Sequence, residues 1–147
     1  ADKIFINSQA VKNPNFINEL SKRFGNQSIV VNMEVKKIQK NKWEVFITNG
    51  RDRTGLIASD WIKKCEDLGA GEIMVTSIDK EGTGKGADLE LIKNIQDLTS
   101  LPVIYSGGVG SLKDIKLLDE LKIDAIALSR VIHYDILEIN KIKKELK

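Results

Sequence analysis

Cysteine and histidine are nearly absent: the 147 residues hold one of each, Cys65 and His133. A single cysteine excludes a disulfide framework and a cysteine-rich zinc site. A single histidine excludes a multi-histidine metal centre and argues against an internal Ser-His-Asp triad. No apolar run approaches the ~20 residues that a membrane-spanning helix needs, so a transmembrane role is excluded. No basic segment followed by an apolar one opens the chain, so the expected location is the cytoplasm. The first residue is not Met, and Ala1-Asp2-Lys3 runs straight into an apolar stretch. Nor does one sign of charge dominate. The 23 basic and 21 acidic residues leave a net charge of +2, too balanced for a nucleic-acid footprint. Only four of the basic residues are Arg, and Lys suits point-charge contact with phosphate better than bidentate readout.

What is present is ordinary soluble composition, 41% hydrophobic and 30% charged. The length fits one domain that buries roughly two-thirds of its unfolded surface. Short β-branched runs alternate with longer stretches of helical period. Ile4–Ile6 reads as a strand. Asn13-Pro14 starts a helix, as N-cap and first-turn residues, with a stripe of Phe16, Ile17, Leu20 and Phe24 that Gly25 ends. The next strand is 28–35. Residues 38–48 break the pattern and read as a β-ribbon, with a turn at Lys40-Asn41 and a return strand over 43–47. Further helices fall at 59–68, 88–98, 111–121 and 135–146, and further strands at Glu72–Ser77, 102–105 and 124–128. Five strand-helix units of this size predict an α/β barrel or a doubly wound sheet, with buried, mostly parallel strands. A closed eight-unit barrel takes ~250 residues, so a barrel reading leaves about three units unaccounted for.

In such folds the binding groups stand at the carboxyl ends of strands. After the third parallel strand comes Asp79-Lys80-Glu81-Gly82-Thr83-Gly84-Lys85-Gly86, with two acids, three glycines and two lysines in eight residues. Glycines let backbone N–H groups approach an anion, and a carboxylate there can serve as acid or base. The competing reading is a flexible loop with solvated charges. After the fourth comes Ser106-Gly107-Gly108-Val109-Gly110, opening onto a helix capped by Ser111. Free N–H groups and the helix dipole there suit a phosphate. After the fifth comes Ser129, then a short turn around Arg130 to His133. Two phosphate signals on consecutive strands are the pattern of a barrel phosphate site. Asn7-Ser8, after the first strand, offers a second phosphate position or a plain turn. Glu34 is a carboxylate in an apolar run, catalytic or structurally paired. Cys65, Trp43, Trp61 and His133 read as structural, and the tail lysines as a solvated helix face.

Several segments, taken in order, resemble one family. They are Ala1 through Asn7, Gly69-Ala70-Gly71-Glu72-Ile73, Thr76-Ser77-Ile78-Asp79 followed by Gly82-Thr83, and Ser106-Gly107-Gly108. Together with the ribbon they are similar to the cyclase subunit of imidazole glycerol phosphate synthase, along essentially the whole chain. The resemblance implies a (β/α)8 barrel, matched here from strand four to the last helix, so that residues 1–147 form one domain of five units. The first three units, and the catalytic aspartate of strand one, then fall outside it, and this chain alone is expected to be inactive. The implied reaction takes ammonia from a glutaminase partner. It converts a bis-phosphorylated ribulosyl aminoimidazole carboxamide intermediate to imidazole glycerol phosphate and AICAR, with no cofactor, metal, nucleic acid or membrane. Carried over, Asn7 and Ser8 hold one phosphate. Gly82, Gly107, Gly108 and Ser129, with backbone near Leu128, hold the other. Glu81 and Glu34 fall where the family has functional aspartates, and Thr76 lines the same pocket. Lys3 and Glu72 match an ammonia gate at the amino ends of their strands, for which a plain ion pair is the competing reading. Asp2 matches a position facing the glutaminase.

The departures are two glutamates for aspartates and Tyr105 in place of a small residue. They leave three other readings open. One is a paralogue that channels ammonia for amidination of a bacterial surface sugar. A second is an inactive half-barrel that binds phosphate. A third is a sister phosphate-barrel isomerase, which needs neither the gate nor Asp2.

Overall fold

The computed structural model describes residues 2–146. Five parallel strands form its spine: β1 (Ile4–Ile6), β2 (Ile29–Gln39), β5 (Glu72–Ser77), β6 (Val103–Ser106) and β7 (Ala125–Ala127). Two more, β3 (Lys42–Ile47) and β4 (Asp52–Ile57), run antiparallel beside β2. The sheet order is β4-β3-β2-β5-β6-β7, with β1 also on β2. At 11 residues, β2 extends about 36 Å. It is long enough to pair along one edge first with β1, through Ile29 to Val31, and then with β3, from Glu34 onward. Helices α1 (Ser8–Lys12), α2 (Asn15–Phe24), α3 (Ala58–Asp67), α4 (Leu89–Gln96), α5 (Leu112–Glu120), α6 (Arg130–His133) and α7 (Ile139–Glu145) complete the order. This is an α/β fold of five β/α units with a ribbon, as part of a (β/α) barrel requires.

Strand alternation sorts the side chains into two layers. Val31, Met33, Val35, Ile73, Val75, Val103 and Tyr105 are buried in the core with the apolar faces of α3, α4 and α5. Residues of the other parity, including Asn32, Glu34, Met74, Thr76, Ile104 and Ser106, are only half-buried and line the opposite face. Cys65, Trp43 and Trp61 are buried, which fits their structural reading. Burial pushes the Cys65 thiol up to about 12, opposed weakly by Lys64.

The structure departs from the sequence expectations at three places. The first helical region is two helices, and neither Asn13 nor Pro14 caps the second with a side chain. Phe24, assigned to the apolar stripe, is 45% exposed under the Arg23 guanidinium. The tail is helical only over α7, because Asp135 takes φ +52 and closes α6 instead of starting a helix.

The ribbon also has an unforeseen third strand, β4. Its polar residues are satisfied by β3: Thr54 Oγ1 donates to Val45 O at 2.6 Å. Arg53 Nε and Nη2 clamp the Glu44 carboxylate, at 3.2 and 2.6 Å, and the Gly55 N–H donates to Glu44 at 3.0 Å. Glu44 is 3% exposed. The Arg53 hydrogen bond holds its carboxyl below the ordinary value of 4.5, against the opposing effect of burial. A depressed carboxyl stabilises the fold above its unfolded value, and the contribution is lost as pH falls through the folded one. Glu44→Gln is therefore expected to flatten the loss of stability with acid below about pH 4.5, measured as urea midpoints across that range.

Candidate functional site

Three loops at the carboxyl ends of β5, β6 and β7 meet in one cleft. Its walls include Glu81 and Gly82 after β5, Gly107 and Gly108 after β6, and Leu128 and Ser129 after β7. All six sequence candidates from these loops are thus brought together. Arg130, which the sequence reading passed over as part of a short turn, lines the cleft too. Its only sequence signal is its place immediately after Ser129.

Backbone contacts hold the loops. The Gly86 N–H donates to Gly108 O at 2.8 Å. A Cβ on Gly108 would stand 2.2 Å from Gly86 O, and one on Gly110 would stand 2.1 Å from Gly84 O. Gly108 also has φ +80, where a side chain is strained. The β5–α4 loop is fixed at its start by the Lys80 and Glu81 N–H groups, which donate to Ser77 O. Asp79 accepts from the Lys37 N–H at 2.9 Å. At the loop's end, the Asp88 N–H donates to the Tyr105 hydroxyl at 2.8 Å, and Asp88 caps α4 through the Leu91 N–H. Tyr105 therefore points into the core, away from the cleft, and its bulk does not narrow the site. Burial holds its phenol well above the ordinary range.

Of the N–H groups expected free around the α5 N-terminus, two are taken by a side chain. Gly110 and Ser111 N–H both donate to Asp114 Oδ2, at 3.0 and 2.9 Å, in a reciprocal capping box. Asp114 thus occupies the two N–H groups that precede α5, while those of Leu112 and Lys113, in its first turn, make no hydrogen bond among the described residues. Among the described residues, the N–H groups of Gly82 and Gly108 make no hydrogen bond, nor do those of Gly84, Gly107 and Ser129, so several donors remain for an anion.

Strand register places Glu34 beside Thr76, Thr76 beside Ser106 and Ser106 beside Ala127, a row across four strands on the half-buried face. Thr76 Oγ1 donates to Asn32 Oδ1 at 3.3 Å. Glu34 is engaged structurally: its Oε2 accepts from the Gly50 N–H at 2.8 Å. Ser8 Oγ accepts from the Thr48 N–H at 3.2 Å. Together they pin the β3–β4 turn, where Thr48, Asn49 and Gly50 all have positive φ. Asn7 Oδ1 is buried with no partner among the described residues, and Asn7 makes no side-chain cap. Asn7 and Ser8 stand three strand positions from β6, roughly 14 Å along the sheet.

At the amino ends, Lys3 Nζ donates to Glu72 Oε1 at 2.6 Å and to Gln27 O at 2.7 Å. Asp2 is exposed nearby in sequence. His133 is exposed and meets Tyr134 edge-on at 4.9 Å. No group of three or more metal-ligating side chains occurs among the described residues, and no helix of theirs is long and apolar enough to cross a membrane.

The family described as histidine biosynthesis protein matches residues 1–138. The chain belongs to that family. This member is 43% identical over 147 residues to the imidazole glycerol phosphate synthase subunit HisF of Alkaliphilus metalliredigens, covering 99% of this chain and 58% of the relative. It is 46% identical over 149 residues to the protein of the same name from Prochlorococcus marinus, covering 99% and 58%. With that of Legionella pneumophila the identity is 49% over 114 residues, 78% of this chain and 54% of the relative. The chain spans a little over half the length of the curated relatives it matches.

The loop contacts predict that the glycines tolerate substitution unequally. Gly108→Ala meets both a backbone oxygen and a positive φ, so urea denaturation is expected to show a loss of about 2 kcal/mol or more. Gly82→Ala has nothing within 4 Å of its Cβ and is expected to lose only the strain of its φ, about 1 kcal/mol.

Proposed function

We propose that this chain is the phosphate-binding and acid–base portion of an ammonia-dependent cyclase subunit, the last five units of an eight-unit barrel. The observation that carries the reading is the meeting of three strand-end loops in one cleft, with a carboxylate, Glu81, on its wall. The unbonded N–H groups of Gly82 and Gly108, with the Ser129 hydroxyl, are the donors that a phosphate needs. Asn7 and Ser8 lie far enough along the sheet to receive the second phosphate of a bis-phosphorylated substrate. Thr76 and Glu34 stand in the row between the two positions.

Glu81 acts as general acid and base. Glu34, held by Gly50, fixes the turn over this face and orients substrate hydroxyls. Each glutamate carries one methylene more than the aspartate of the resembled family, and a misplacement of about 1 Å can cost ~100-fold in rate. Lys3 and Glu72 gate ammonia arriving from a glutaminase partner that docks beside Asp2. The pair is only partly buried, with side chains 38% and 21% exposed, so it contributes about 0.2–1 kcal/mol to stability. Opening it therefore costs little, as a gate requires.

The test completes the barrel with the segment of the Alkaliphilus relative that this chain does not match. Ammonium salt at alkaline pH and the ribulosyl intermediate are supplied, and loss of the intermediate is followed by absorbance. Turnover that Glu81→Gln lowers by at least ~100-fold is expected. Phosphate binding without turnover contradicts the cyclase and moves the reading to the sugar-amidating paralogue. With the glutaminase added, Lys3→Met is expected to depress glutamine-dependent turnover more than ammonia-dependent turnover. Equal losses would rule out the gate.

A further inference from the structure

We infer that Arg130 is a phosphate ligand of the cleft and makes it selective for a phosphomonoester dianion. The inference rests on the proposed phosphate site and names a side chain that the family resemblance did not supply. Among the described residues lining the cleft, Glu81 is the only acid and Arg130 the only cation. A dianion entering between backbone N–H groups would otherwise face a site whose one formal charge repels it. Arg130 supplies the opposite charge.

Its placement is built. Val131, the next residue, is 1% exposed and anchors α6 in the core. The Arg130 guanidinium lies against Gly84, where a Cβ would come within 2.6 Å of Nη1 and would displace it. The guanidinium also stands over the Tyr134 ring, with its carbon 5.9 Å from the ring centroid. Arg130 is half-buried, yet among the described residues its guanidinium makes no hydrogen bond or ion pair, not even with Glu81, which lines the same cleft. Arg53, by contrast, has both its Nε and Nη2 on a carboxylate. A guanidinium carries five donors in a planar fork that matches two phosphate oxygens. In contact with a glycine and a ring and with its side-chain donors unspent, Arg130 is preorganised for that contact.

The experiment titrates this chain with inorganic phosphate and with glycerol 3-phosphate, reading affinity by calorimetry. Arg130→Gln is expected to bind about tenfold or more weakly, and Arg130→Lys to recover only part of the loss because the fork is gone. Unchanged affinity in Arg130→Gln overturns the inference. A second readout needs no variant: the Arg130 Nε–H resonance of the wild type is expected to shift with added phosphate at the same Kd. If the Gly108 amide shifts while the Arg130 resonance stays fixed, Arg130 is not a ligand, although the phosphate site stands. If the wild type binds neither anion, the phosphate site itself falls, and the inference with it.

Discussion

The Gly86 amide reaches the Gly108 carbonyl at 2.8 Å, and Gly84 lies against Gly110 closely enough that neither contact tolerates a Cβ on the β6 side. This approach of two backbones is the constraint on which the candidate site depends. It brings the long loop after β5 over the end of β6, and so sets Glu81 and Gly82 opposite Gly108 and Ser129. The same contact consumes glycine's freedom. The residues that resemble a phosphate-cradling sequence are partly used to pack loop on loop, and Asp114 takes the two N–H groups that lead into α5. The proposed anion site draws instead on loop N–H groups, one hydroxyl and a neighbouring guanidinium.

A second support runs through β2. Its length lets β1 and the ribbon share one edge, so the end of β1 and the β3–β4 turn become neighbours. Ser8 and Glu34 then accept two N–H groups of a turn whose three consecutive residues have positive φ. Such backbone is costly, at about 1–3 kcal/mol for each strained non-glycine residue. It persists because flanking groups fix it. The binding roles proposed for these two residues therefore fall on groups that also scaffold the turn. The ribbon's own rigidity comes from Glu44, a buried acid whose charge is satisfied by Arg53 and the Gly55 N–H.

Much of this organisation is legible in the sequence. Glu72–Ser77 is an apolar run bounded by glycine and an Asp-rich loop, and its bounds are the observed ones. Ser111 and Gly25 punctuate their helices as capping rules require. The strand-end rule located the cleft, because parallel strands leave their loops on one face whatever the loop sequence. β4 was not legible, since its polar residues lack alternation and are satisfied only by β3 across a tertiary contact. The separate helix α1 and the interrupted tail depend on single backbone turns that periodicity does not register. The bulk of Tyr105 does not reach the cleft, because strand parity, not size, decides which face it enters. Arg130 escaped notice because isolated arginines carry no motif. Only the convergence of Gly84 and Tyr134 on it reveals the site.

The central claim is that three strand-end loops form one anion site. The most direct measurement follows the backbone amides of Gly82, Gly108 and Ser129 by NMR while inorganic phosphate is titrated into this chain. The account predicts that all three move together and fit a single Kd. Movement of one loop's amide while the other two stay fixed, or separate constants for each, would contradict it.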